Sequence, residues 1–293
     1  MIKIGFSVLG ILTVGVVMIF MTGVVLRSKD RPGNLSKIQT VGLSEYGIEI
    51  VGPTEAAFTT LMSKQLQKTS RMDIDTLKSS SAFVINNSGQ SIAALKVKWE
   101  LLQRDGRRIV HYQSFSGGLR VISDAGSAHL SEEIALKDHR LVSLLVIPNG
   151  PDGSFRVNLG GGGVDKARQL SESVKVTISV DGVLFGDGTF VGPDTGDFFE
   201  SLKAEIEART DVLEEFARAL NGDSEAMKRI KMVAKGDHER IQMSSGKAHP
   251  KGQLERERLA RVTLAIRKNL GDKAVLERIN AELSKPRINL RKL

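Results

Sequence analysis

The chain contains no cysteine. This excludes disulfides, thiolate nucleophiles, haem attachment and cysteine-rich zinc or iron–sulfur sites together, while leaving the compartment open. Histidine is scarce, at positions 111, 129, 139, 238 and 249, and no two have the spacing of helical metal ligands. The chain also lacks Gly-x-Ser-x-Gly, His-Glu-x-x-His and Gly-Lys-Ser/Thr. No nucleophile–base pair, zinc helix or phosphate loop is therefore written into it, and no cofactor is expected. Aromatic residues make up 5% of the chain, and none lies between Asp223 and Leu293.

The segment Ile4–Leu26 lacks charge altogether. About 17–25 apolar residues, rising ~1.5 Å each as a helix, cross a bilayer core of roughly 30 Å. Lys3 supplies a basic start, but no Ala-x-Ala follows the run, and Thr22-Gly23 precede Val24-Val25-Leu26, a poor cleavage context. An uncleaved anchor over 1–27 is expected, ahead of a removed signal or a buried helix. Arg27, Lys29 and Arg31 on its far side lean toward a cytoplasmic body. A start this short acts as a signal-anchor that exports the chain beyond it, so a single-pass protein with an extracytoplasmic body and the lipid bilayer as partner is the expectation. Residues 28–43, broken by Pro32-Gly33, read as a linker.

From residue 44 to 194 the hydrophobic period is two. Leu95, Val97, Trp99 and Leu101 alternate with Lys96, Lys98 and Glu100, the pattern of a strand with one wet face. Asp105-Gly106 signals a hairpin returning along Arg108–Phe115. Val174, Val176, Ile178 and Val180 alternate with Lys175, Thr177, Ser179 and Asp181, ahead of a tight turn at Gly186-Asp187-Gly188. Further strands are expected over 46–51, 81–85, 128–136, 141–147 and 155–159, the unbroken apolar run Leu141–Ile147 as a central strand covered on both faces. A short helix is expected after Pro53. Some eight short strands with regular turn signals point to an antiparallel β-sandwich, immunoglobulin-like in architecture though without its cysteines.

From 195 to 293 the period becomes helical. Phe199, Leu202, Ile206, Leu213, Phe216 and Leu220 share one face, opposite Glu200, Glu205, Glu207, Asp211, Glu214 and Glu215. Helices over 224–234, 254–270 and 272–284 follow, making a basic α-helical region. Residues 223–293 hold 18 Lys and Arg against 9 Asp and Glu, which leaves the rest of the chain at −1 within a total of +8. Any electrostatic partner belongs there. Lys228, Arg229, Lys231 and Lys235 on one helix, with Arg256, Arg258, Arg261, Arg267 and Lys268 on another, are the candidates for contact with an anionic surface. Glu255, Glu257, Glu277 and Glu282 interleave with them, as on a solvated face laced with ion pairs. The absence of stacking aromatics argues against nucleic acid.

Other features read as structure. Gly160–Gly163 is expected to be a flexible loop. Asp181, Asp187, Asp194 and Asp197 lack calcium-loop spacing and suit turns and caps. His111, His129 and His139 fall on separate expected strands, and the sequons at Asn34 and Asn86 are of a kind frequent by chance.

The stretches DGVLFGDGTFVGPD at 181–194 and FVINNSGQSI at 83–92, with LKVKWEL after it, resemble uncharacterised exported proteins of environmental bacteria. The resemblance covers about half the chain, implies a membrane-associated β-sandwich and carries over no functional residue. The expectation is a membrane-anchored binding or structural module whose sheet edges or loops take a protein or glycan partner. The alternatives are a secreted carboxylate-dependent hydrolase on the same fold, and a cytoplasm-facing regulator that meets anionic lipid or nucleic acid through the basic region.

Overall fold

Alternating strands that bury one face need a second layer, and here a mixed sheet and a smaller one share a core. The computed structural model describes residues 37–66, 80–115, 138–148, 155–157, 163–236, 250–284 and 289–293. All of them belong to one compact unit, Asn34–Leu293. The elements in chain order begin with β1 (Ile38–Val41), β2 (Ile48–Val51), α1 (Ala56–Leu66), β3 (Ser81–Asn86), β4 (Ile92–Gln103), β5 (Arg108–Phe115), β6 (His139–Ser143), β7 (Val146–Pro148) and β8 (Phe155–Val157). They continue with α2 (Gly163–Glu172), β9 (Ser173–Phe185), β10 (Thr189–Val191), α3 (Phe198–Leu220), α4 (Ser224–Lys235), α5 (Pro250–Leu270), α6 (Asp272–Leu283) and β11 (Arg291–Lys292).

The larger sheet has the order β11-β10-β9-β4-β5, with β1 also on β9; the smaller is β2-β3-β6, and β7 and β8 form a separate pair. Leu95, Val97, Trp99 and Leu101 of β4 and Val176, Ile178 and Val180 of β9 share a core with Ile48, Ile50, Val84 and Val142 on one face of the smaller sheet. Phe83 turns to the other face of that sheet and meets Phe58 of α1. Phe58 and Met62 of α1 continue the same apolar cluster there.

The antiparallel immunoglobulin-like sandwich is corrected: among the described residues there are one mixed sheet, two smaller antiparallel ones and six α-helices. β1 runs parallel to β9, and β11 runs parallel to β10. Parallel neighbours need long crossovers, which the reading of hairpins in series did not supply. The helix α2 begins at Gly163, the last residue of the expected flexible loop. The expected central strand Leu141–Ile147 divides into β6 and β7, and β6 lies at a sheet edge beside β3. The expected strand 128–136 and the glycines 160–162 lie outside the described residues.

The single-pass, extracytoplasmic placement is likewise corrected. Among the described residues, no helix is long and apolar enough to cross a membrane. The two longest helices, α3 with 23 residues and α5 with 21, have the length but not the composition. Charges such as Glu200, Glu205 and Glu214 on α3 and Arg258 and Arg261 on α5 would be costly in hydrocarbon. The segment Ile4–Leu26, from which the anchor was expected, lies outside the described residues.

The apolar stripe of α3 serves two partners in turn. Its first part, Phe198 and Leu202, packs on Ala94, Leu184 and Phe190 of the large sheet. Its second part, Val212, Leu213 and Phe216, packs on Ile230 and Val233 of α4, Leu259 and Ile266 of α5, and Val275 and Ile279 of α6. Helices this short gain their stability from such burial rather than from propensity. Asp223 caps α4 by accepting from the Ala226 N–H at 3.0 Å, and Gly236 ends that helix in the left-handed region at φ 81°.

Candidate functional site

The site is built around an irregularity in β9. Opposite β4 the register runs Val97↔Val180 and then Lys96↔Gly182, so Asp181 is an extra residue, a β-bulge. A bulge reverses the phase of the alternation. Val180 and then Val183 and Phe185 point to the main core, whereas Leu184 points to the opposite face beneath α3.

The bulge turns the Asp181 carboxylate onto the loop before α3. Its Oδ1 accepts from the Thr195 N–H at 2.9 Å and the Thr195 hydroxyl at 2.5 Å, and its Oδ2 accepts from the Gly196 N–H at 3.0 Å. Asp194 and Asp197 adopt left-handed backbone at φ 55° and 54°, where aspartate is better tolerated than most side chains. The Asp194 Oδ1 accepts from the N–H groups of Phe198 and Phe199 and so caps α3.

Under this loop lies Lys96, expected on the wet face of β4 and yet 3% exposed. Its ammonium donates to the Gly196 carbonyl and sits 4.6 Å from the centroid of the Tyr112 ring and 5.4 Å from that of Phe198. Burial lowers its pKa, with Lys251 adding to the effect, while Asp181, Asp194 and Asp197 oppose it. The reason the alternation misled is tertiary: the start of α3 covers this end of the face. A Cβ at Gly196 would crowd the Lys96 ammonium and meet the Tyr112 ring at 2.8 Å, so any larger residue there has to push both side chains aside.

Beyond the covered end the face opens along β5. Among the described strands, β5 pairs with β4 alone and forms one edge of the large sheet. Arg108, Val110, Tyr112 and Ser114 are exposed, while Ile109, His111, Gln113 and Phe115 turn inward. The hairpin closes with the Gln103 N–H donating to the Arg107 carbonyl at 2.8 Å. By antiparallel alternation the N–H and C=O groups of Ile109 and His111 face β4, and those of Val110 and Tyr112 face the open edge. The Tyr112 hydroxyl lies 3.2 Å from the Thr195 hydroxyl, which fixes the ring against the loop and leaves Tyr112 40% exposed. Val110 is equally exposed, and beside it Glu100 pairs with Arg108 at 3.2 Å and with Lys98 at 3.4 Å.

Six of the nine basic candidates are engaged in ion pairs within the bundle. Arg256 is 7% exposed and bonds Asp211 at 2.6 Å. Arg258 pairs with Glu255, Arg261 with Glu257, Arg267 with Asp272, Lys228 with Glu225, and Arg229 with the buried Glu215. Glu255 also accepts from Arg209 at 2.9 Å. Burial opposes the Glu255 charge, but the bonds from Arg258 and Arg209 outweigh it and hold the carboxyl below its ordinary range. Two residues of the acidic side of α3 are thus counter-charges within the bundle, Asp211 to α5 and Glu215 to α4. Among the described residues, Lys231, Lys235 and Lys268 are exposed and make no ion pair.

The remaining candidates have local duties. Asp187 accepts from the Thr189 N–H and hydroxyl at 2.8 and 2.9 Å. His111 Nε2 lies 2.7 Å from Gln169 Oε1 on α2, and the His139 ring packs edge-on against Phe83. Asn86 holds its own turn through Ser88 and Gln90, which occupies the sequon's amide. His129 and Asn34 lie outside the described residues. Among the described residues, no group of three or more His, Asp or Glu side chains could hold a metal ion.

The bulge and the buried lysine gave no signal in the sequence alternation. The Asp181-Gly182 step, a glycine inside an otherwise strong strand, was the sign available. Comparison with protein-family models, with curated proteins and with solved structures found nothing that matches. The resemblance carried by residues 83–102 and 181–194 therefore brings no relative with it.

Proposed function

We propose that the chain is a protein-binding module that takes an extended polypeptide segment alongside β5. The observation that carries this reading is the open edge itself: eight residues of strand, paired on one side among the described strands, with Val110 and Tyr112 at its surface. Edge strands are commonly blunted by proline, lysine or a bulge, and β5 contains neither proline nor lysine. An added strand gains main-chain hydrogen bonds from the outward groups of Val110 and Tyr112, and their side chains supply selectivity. The Asp181–Lys96 seat holds the neighbouring loop, so little ordering is required there on binding.

The test is selection of a random-peptide display library on the wild-type chain and on a Val110→Pro/Tyr112→Lys variant. Proline at 110 removes an outward donor and leaves the β4 ladder its bonds. The expected result is peptides that bind wild type, lose binding to the variant and slow hydrogen exchange within 108–115. Peptides that protect other elements, or bind the variant equally, overturn the reading.

A second reading is contact with an acidic partner through the unpaired Lys231, Lys235 and Lys268. It is supported by their exposure on α4 and α5. Loss of binding to an acidic polypeptide on replacing all three by glutamine tests it.

A further inference from the structure

The opposite edge of the large sheet is already filled by a short piece of the chain itself. β11 adds to β10 in parallel, with Thr189↔Arg291 and Phe190↔Lys292 as partners. Its main chain contributes the Arg291 N–H to the Gly188 carbonyl at 3.1 Å and the Leu293 N–H to the Phe190 carbonyl at 3.0 Å. Three successive side chains are read separately. Leu290 packs against the cluster of Ala94, Leu184, Phe190 and Leu202. Arg291 donates to the Thr189 hydroxyl at 2.9 Å and to Asp187 at 3.0 Å. Lys292 donates to Asp194 Oδ2 at 2.7 Å and lies 5.8 Å from the ring centroids of Phe190 and Phe199.

The receiving groups stand without this strand. Asp187 is held by Thr189, and Asp194 by the N–H groups that it caps at the start of α3. The arriving strand is only two residues long, and its Arg291 and Lys292 side chains remain 66% and 45% exposed. A receptor organised by its own bonds, filled by a short, part-exposed occupant of complementary charge, is the arrangement of an exchangeable ligand.

We propose that the β10 edge is a receptor for an extended Leu-Arg-Lys segment, filled by residues 290–292 in exchange with the same segment of a second copy. This is independent of the β5 reading, because β11 and β5 are opposite ends of the sheet order.

The probe is an end-blocked, fluorescent peptide of residues 287–293, with the reversed sequence as control. It is titrated into the full wild-type chain and into an Arg291→Ala/Lys292→Ala chain, and read by anisotropy. Self-occupancy lowers the apparent affinity of the wild type by the fraction of open receptor, so the variant is expected to bind about tenfold or more tightly. Adding Asp187→Asn to that variant is expected to abolish the gain. Equal binding by the two chains, binding no better than the reversed peptide, or indifference to Asp187→Asn overturns the proposal. Should the double variant fail to fold, the wild-type chain decides by hydrogen exchange. Excess unlabelled peptide must speed exchange at the Leu293 N–H, and an unchanged rate overturns the proposal.

Discussion

Replacing Asp181 by alanine removes the one group that satisfies the Thr195 and Gly196 N–H donors from β9. Asp181 is 1% exposed, so water does not readily take its place. Two buried donors left unpaired cost about 1–3 kcal/mol each, and Asp181→Ala should therefore lose about 2–6 kcal/mol. The Thr195 hydroxyl adds little, because Tyr112 lies within reach of it. Asp181→Asn keeps the Oδ1 acceptor but aims an amide donor at the Gly196 N–H, so about 1–3 kcal/mol is expected. Asp187→Ala is the control: that side chain is 40% exposed, water replaces it, and the loss should stay within about 1 kcal/mol. Trp99, the chain's one tryptophan, is fully buried in the sheet core and reports urea unfolding by fluorescence. Unfolding curves should rank Asp181→Ala below Asp181→Asn and both below Asp187→Ala, with faster exchange at the Thr195 and Gly196 amides in the alanine variant. An Asp181→Ala chain within about 1 kcal/mol of wild type would refute the reasoning that a buried carboxylate holds this loop.

Two further outcomes are expected on the same physical grounds. Burial and the neighbouring Glu255 raise the pKa of Glu205 above 4.5, so the folded chain keeps that proton to higher pH than the unfolded chain does. Stability then falls as pH rises from the unfolded value to the raised folded one, and stays lowered beyond it. Glu205→Gln should remove this slope, its advantage over wild type growing through that window in urea midpoints and levelling above it; a pH-independent difference contradicts the assignment. At Gly182, a Cβ would meet the Phe190 ring at 2.5 Å and the Phe198 ring at 3.3 Å, both rings being buried. Gly182→Ala should lose about 1–3 kcal/mol by overpacking, and an unchanged melting temperature would show that the rings yield freely.

What the sequence by itself determined was local. The alternation of Leu95, Val97, Trp99 and Leu101 placed β4 and its buried face, and all four are fully buried. Asp105-Gly106 placed the hairpin to β5, where Gly106 takes φ 83°. The change of period near Pro193 marked α3, and Asn221-Gly222 and Gly271 marked the end of α3 and the break before α6. These signals are short-ranged, written in residues that touch along one strand or one helix turn. The helix α2 escaped because Gly163–Glu172 buries Gly163 and Leu170 with Ala167 beside them, too little apolar surface to show a face.

Tertiary structure alone decided the rest. That β1 lies parallel to β9, Ile38 opposite Val176, depends on a crossover that no local pattern encodes. The same alternation that leaves Lys98 partly exposed would do so for Lys96, until α3 folds back over it. The charged face of α5 reads as a surface for a partner, until Asp211 and Arg209 of α3 meet Arg256 and Glu255 across the bundle. A residue's chemistry is written in the chain, but its solvent and its counter-charge are set by distant elements that only packing brings beside it.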